Sequence, residues 1–122
     1  MDRRTLGSAG EDAAHRLLRR HGYRIIEQNF RCPIGEIDLI AEEAGAVVFI
    51  EVKARAAHEF GAPFEAISPP KQRRLARLAT WYLARRRWLD RPCRFDAVAV
   101  MVDLDGRVES IELLRDAFVP DP

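Results

Sequence analysis

The sequence is poor in the residues that staple small proteins. It holds two cysteines, Cys32 and Cys93, far apart and without CxxC spacing. A disulfide scaffold or a zinc cluster is therefore not expected, and the pair reads as two small apolar residues in a reducing compartment. Three histidines, His15, His21 and His58, show no ligand spacing and read as surface residues, with His58 in a loop. No apolar run approaches the ~20 residues of a membrane-spanning helix. Neither sign of charge dominates: 20 Lys and Arg stand against 19 Asp and Glu, a net charge of +1. That balance excludes a polycation of the histone kind and leaves open a basic face on part of the surface. The opening residues Asp2, Arg3 and Arg4 lead into an amphipathic pattern rather than a secretory leader. A cytoplasmic location without membrane contact is the expectation. No internal repeat or low-complexity stretch interrupts the chain.

What is present suits one domain spanning 1–122, with an ordered core from about 7 to 118. Hydrophobic residues make up 48% of the 122, enough to close a single core without covalent help. From Gly7 to His21, Ala9, Ala13, Ala14, Leu17 and Leu18 recur at helical spacing, and Gly22 is placed to stop the helix. Strands are predicted over Tyr23–Phe30, Gly35–Glu43 and Ala46–Ala54, the last two joined by an Ala44-Gly45 turn. Val47-Val48-Phe49-Ile50 is apolar at consecutive positions, as in a strand covered on both faces. A loop spans His58 to Ser68. A second helix follows from Pro69 to about Trp88, with Ser68 as N-cap and a stripe of Leu75, Leu78, Ala79, Tyr82 and Leu83. Phe95–Val102 and Val108–Leu114 read as strands around an Asp105-Gly106 turn. The order is α-β-β-β-α-β with one further strand. The long connection through the second helix allows a parallel crossover, hence a mixed sheet with helices packed on it.

A hairpin closed at Ala44-Gly45 pairs positions whose numbers sum to 89. Asp38 then faces Glu51, Glu36 faces Lys53, and all four side chains share one face. Two carboxylates about 5 Å apart repel by roughly 3 kcal/mol at an effective dielectric near 20. A divalent cation would remove that cost, and two carboxylates, a backbone carbonyl and waters match what Mg²⁺ accepts. Lys53 beside it would orient a water or stabilise charge on a phosphoryl oxygen. The plain alternative is alternating charge on an exposed sheet face. Against it, the third strand should be central in the sheet, where charges need a reason.

The second helix carries Lys71, Arg73, Arg74, Arg77, Arg85, Arg86 and Arg87, with no acid between Lys71 and Arg87. Such a run suits contact with nucleic-acid phosphates, Lys71, Arg73, Arg74 and Arg77 foremost, or else a solvated face. Tyr82 fits the core stripe. Trp81 and Trp88, seven apart, suit core packing, a partner surface or base stacking.

The spacing Asp38…Glu51-Val52-Lys53 after an N-terminal helix resembles the PD-(D/E)xK nuclease superfamily in its D…ExK form. More closely, the chain is similar to the YraN family of predicted endonucleases, relatives of archaeal Holliday junction resolvases. The segments that carry this are Gly7-Ser8-Ala9-Gly10-Glu11, Asn29-Phe30-Arg31, Gly35 to Ile40, Phe49 to Lys53, Lys71 to Arg74 and Arg94-Phe95-Asp96. They run in order over most of the chain.

The resemblance implies a restriction-endonuclease-like α/β fold with an αβββαβ core and a mixed sheet flanked by helices. It implies a Mg²⁺- or Mn²⁺-dependent endonuclease on structured or branched DNA, with Asp38, Glu51 and Lys53 in the site. It adds Glu11, from the first helix, as a further acidic member and metal ligand. On its own spacing Glu11 either points inward with Ala14 and Leu18 or is a first-turn glutamate favoured by the helix dipole. It also adds Gln72 as a polar site residue, whose plain reading is a solvated amide. Arg94 and Asp96 match without a stated role; an exposed ion pair or a strand-end cap is the plain reading. A homodimer would suit paired strand cuts. The competing functions are a binding module that keeps the fold and hydrolyses little, and an interaction protein working through the tryptophan-bearing helix.

Overall fold

In the computed structural model, residues 3–56 and 67–120 are described. The expected loop residues His58, Gly61 and Pro63 lie outside them. Two helices, α1 (Arg3–Arg20) and α2 (Pro69–Arg86), accompany five strands: β1 (Arg24–Cys32), β2 (Gly35–Glu43), β3 (Ala46–Ala56), β4 (Cys93–Val102) and β5 (Val108–Phe118). The strands form one sheet in the order β1-β2-β3-β4-β5. β3 and β4 pair in parallel, and the other three pairings are antiparallel. The fold is thus α/β: a mixed five-stranded sheet with a helix on each face and the αβββαβ order that the sequence predicts. β3 is central. α1 begins four residues earlier than its apolar spacing suggests, and β5 runs on to Phe118.

Local chemistry accounts for the ends. Ala44 and Gly45 both take positive φ, 51° and 84°, as a two-residue turn matched to strand twist requires. The Ser68 hydroxyl accepts from Lys71 N–H, Pro69 and Pro70 open α2, and Arg87 closes it in the left-handed region. Among the described residues, no helix is long and apolar enough to cross a membrane. Cys32 and Cys93 are both free.

The sheet divides the core in two. On one face Ala13, Ala14 and Leu18 of α1 pack over Val48, Ile50, Val98 and Val100. On the other, Leu75, Leu78, Ala79, Tyr82 and Leu83 of α2 pack over Ile40, Val47, Phe49 and Phe95. Val47 to Ile50 are fully buried, which explains their unbroken apolar run. Each such side chain contributes about 1.5–3 kcal/mol by leaving water. Gly10 sets how closely α1 lies on β3: a Cβ there would fall 2.6 Å from Ala54 Cβ. That close approach brings Glu11, the next residue, towards the acidic hairpin.

Among the described residues Asp96 is the one buried charged side chain, 1% exposed. It accepts from Tyr23 Oη at 2.7 Å, from Arg94 Nε at 3.0 Å and from Asp116 N–H at 3.0 Å. Arg94 also donates to Glu43 at 2.8 Å, where Arg115 joins at 2.9 Å. Three residues of β5, Arg115 to Ala117, bulge opposite Asp96, and Asp116 takes φ 50° there. Burial, then the hydrogen bond to Asp96, pushes the Tyr23 hydroxyl up to about 12. Burial pulls Arg94 down, but its bonds to Asp96, Glu43 and Tyr23 outweigh that and the net shift is upward. The Arg94-Phe95-Asp96 segment is therefore neither an exposed ion pair nor a simple cap. It is a buried brace joining the start of β1, the end of β2, β4 and β5.

Candidate active site

The β2–β3 hairpin follows the expected register from Glu43↔Ala46 to Leu39↔Ile50, where the pairing stops. The Asp38–Glu51 rung is not made. Val52 N–H donates instead to the Asp38 carboxylate, Oδ2, at 2.7 Å. β2 also turns over here. Leu39 belongs to the α1 side of the core and Ile37 to the α2 side, although alternation would give both one face. β1 does the same beside it at Asn29, with φ 51°: Gln28 bonds His15 of α1, whereas Phe30 stacks on Tyr82 of α2. The strands part at this point, so Glu36 does not face Lys53. It pairs with β1 opposite Arg31, in an exposed ion pair of 3.2 Å.

The parted strands leave a pocket of about 250 Å³, lined by Ile34, Gly35, Glu36, Asp38, Glu51, Lys71 and Arg74. The Asp38 carboxyl is raised to about 6, first by burial and then by the charge of Glu51, with Glu11 adding; the Val52 N–H and Lys71 oppose the shift. Glu51 Oε1 accepts from Lys71 Nζ at 2.6 Å, both side chains partly buried. The register and the packing of α1 and α2 thus bring Asp38, Glu51, Glu11 and Lys71 into one electrostatic neighbourhood. Lys53 is half-buried on β3, paired with Ala99 of β4, and does not line this pocket. Gln72 Nε2 donates to Ile67 O at 2.9 Å, so the amide ties down the approach to α2.

A second recess of about 600 Å³ adjoins the first, lined by Ser68, Pro70, Lys71, Arg73, Arg74 and Arg77. Lys71 and Arg74 line both. Among the described residues no carboxylate pairs with Arg73, Arg74 or Arg77. The sequence places Lys71 on the basic helix but does not show that it neutralises Glu51. That contact depends on where α2 docks; the only local signal is its position three residues after the Ser68 cap.

As it stands the buried Asp38 carboxyl, with the charge of Glu51 beside it, costs stability. Folded Asp38 holds its proton up to about pH 6, against 3.8 for the ordinary group. The native state therefore binds more protons than the unfolded chain between those values, and stability falls as pH rises through that window. Asp38→Asn, which keeps an acceptor for Val52 N–H, should raise the melting temperature in EDTA at pH 7–8 by the equivalent of about 1–2 kcal/mol. The gain should fade as pH approaches 4. A variant less stable than the parent at pH 8 would contradict the strain.

Fold and site together define an α/β protein with a carboxylate-lined pocket opening onto a basic recess. Over residues 10–100 the chain matches the model of the uncharacterised protein family UPF0102, and it belongs to that family. This is the YraN family that its motifs resemble. It is 48% identical to a UPF0102 protein of Moorella thermoacetica, over 97% of this chain and 98% of that one. It is 51% identical to one of Symbiobacterium thermophilum, over 94% and 97% of the two chains. A third, from Caldicellulosiruptor saccharolyticus, is 42% identical over 97% of this chain and all of its own.

Proposed function

We propose that the chain is a Mg²⁺- or Mn²⁺-dependent endonuclease of the PD-(D/E)xK superfamily, acting on phosphodiester bonds in structured or branched DNA. The observation that carries this reading is the junction of the two recesses. Asp38 and Glu51 line one, arginines with no carboxylate partner among the described residues line the other, and Lys71 and Arg74 belong to both. A phosphate held by the arginines would lie beside the acidic pair.

Asp38 and Glu51 offer oxygen donors only, which fits a hard cation that keeps several waters and does not fit zinc. Among the described residues no three or more Asp, Glu, His or Cys side chains form a ready metal cluster. Asp38 and Glu51 would hold the ion, with Glu11 a further carboxylate whose charge acts on Asp38. Bound there, such an ion supplies Lewis-acid stabilisation to a phosphoryl oxygen and eases deprotonation of water. The protein's own groups do the rest. Arg73, Arg74 and Arg77 position the phosphate backbone without reading sequence. Lys71 leaves Glu51 for the phosphate, and Lys53, on the strand beside Glu51, offers charge to the reacting group. Gln72 keeps the start of α2, and so Lys71, in place. DNA as substrate sets the work in the cytoplasm, and two copies of the chain would serve cuts on both strands.

A panel of single-stranded, duplex, flap and four-way junction DNAs, with Mg²⁺, Mn²⁺ or EDTA, tests the reading. Metal-dependent products are expected, lost in Glu51→Ala and in Lys53→Ala. Products that persist in both variants would sink the site.

Because Lys71 already neutralises Glu51, the rival reading is a binding module in which this ion pair replaces the metal. Lys71→Met separates the two. Under the nuclease reading, calorimetric affinity for Mn²⁺ without DNA rises about five- to tenfold, since a competing cation is gone. A variant that binds Mn²⁺ no better than the parent would favour the module.

A further inference from the structure

Arg74, Arg77, Trp81 and Arg85 follow one another on α2 at intervals of three, four and four residues, and so share one side of the helix. The stripe begins at the acidic pocket, because Arg74 lines it. From Arg74 to Arg85 it extends about 16–17 Å, at roughly 1.5 Å per residue. The stripe combines two features. First, its cations are unpaired: among the described residues, Arg74, Arg77 and Arg85 have no carboxylate partner. Arg24, Arg31, Arg86, Arg91, Arg94 and Arg115 each have one. Second, the Arg85 guanidinium lies over the Trp81 ring, 4.0 Å from its centroid, while Phe30 supports that ring at 6.0 Å. Trp88 is different, hemmed in by Arg86 and Arg91.

We infer that this stripe is a track for a single-stranded nucleic-acid segment that leaves the acidic pocket, with Arg74 and Arg77 on its phosphates and a base stacked at Trp81–Arg85. The inference rests on the nuclease reading only in making that segment an arm of the substrate, so that the pocket faces the junction of duplex and single strand. Unpaired arginines alone would suit any polyanion. The aromatic platform is what selects a single strand. A planar guanidinium on an indole presents a flat cationic surface to which a base adds its π-face. In a duplex those faces are hidden in the stack, and only phosphates and base edges are on offer.

The test is fluorescence anisotropy on the full chain, with Ca²⁺ in place of Mg²⁺ and at one salt concentration. The probes are oligo-dT, a blunt duplex, and that duplex extended by a single-stranded arm. The parent is expected to bind oligo-dT and the armed duplex at least about tenfold more tightly than the blunt one. Trp81→Leu should lose about tenfold on those two probes and less than twofold on the blunt duplex. Because Trp81 also packs on Phe30, Trp88→Phe gives an independent reading: its remaining tryptophan, Trp81, should be quenched by oligo-dT. Equal losses on all probes, no loss, or unquenched Trp81 emission would overturn the track. So would oligo-glutamate competing as well as oligo-dT, which would make the stripe a simple cation patch. Cleavage measured alongside separates the two claims. Trp81-dependent binding of oligo-dT without cleavage keeps the track and removes the nuclease. Cleavage with Trp81-independent binding does the reverse.

Discussion

Glu51→Gln should lower the single-turnover rate of DNA cleavage by about 10³-fold while leaving the melting temperature within a few degrees of the parent. Glu51 has two roles in the site, and the substitution separates them. As a charge it raises Asp38 and accepts from Lys71. As a donor it is one of the two carboxylates that would hold the cation. Gln keeps the shape and the ability to accept from Lys71, and it relieves the repulsion on Asp38, so the fold should tolerate it. It removes one of the two negative charges from a site that works by electrostatic stabilisation, where loss of a single preorganised group costs about 10²–10³ in rate. Loss of activity together with a large loss of stability would mean that Glu51 is structural. Full activity would mean that the chemistry lies elsewhere. DNA binding in EDTA should change little or improve, because the variant carries one negative charge fewer beside the arginines.

Asp96→Ala should have the largest effect on stability, about 3–5 kcal/mol and roughly 10–20 °C in melting temperature. The carboxylate is buried and accepts from Tyr23, Arg94 and Asp116 N–H. Alanine leaves the Arg94 charge half-compensated by Glu43 and strands the Asp116 N–H at the β5 bulge, so the loss is that of a broken buried pair. Urea denaturation reads it directly. Asp96→Asn should cost less, since it retains an oxygen acceptor. A loss under about 1 kcal/mol for Asp96→Ala would show that the brace carries no load. The brace ends at Glu43, about 16 Å along β2 from Asp38 at roughly 3.3 Å per residue. Folded Asp96→Asn should therefore cleave at the parent rate if cleavage is present.

Much of the fold was legible because its signals are local. The helix of Leu75, Leu78, Ala79, Tyr82 and Leu83 can be read from 3.6-residue spacing, and all five residues are buried. The turn at Ala44-Gly45 needs only a residue tolerant of positive φ, and it set the hairpin register correctly as far as Leu39↔Ile50. The candidate site was legible to the same depth. Asp38 and Glu51 each lie one residue past the last rung, Leu39↔Ile50, so the register brings them near one another without pairing them. Beyond Leu39 the register failed as a guide. The turnover of β2 at Asp38 is matched by β1 at Asn29 and by Phe30 docking on α2, and neither is visible in the hairpin's own residues.

The sequence by itself determined the order of elements, the central position of β3, and which two carboxylates share a hairpin. Periodicity and turn chemistry act over a few residues, and the chain carries both clearly. Only the tertiary structure decided the rest. It ended the ladder at Leu39, so that Val52 N–H holds Asp38 and the two strands part into a pocket. It gave Glu51 the ammonium of Lys71, 20 residues away. It joined Tyr23 to Asp96 across 73 residues and made a brace of a segment that spacing alone left without a role. Each of these contacts depends on how two helices dock on opposite faces of one sheet, a choice made by packing volume and buried charge that no short window of sequence contains.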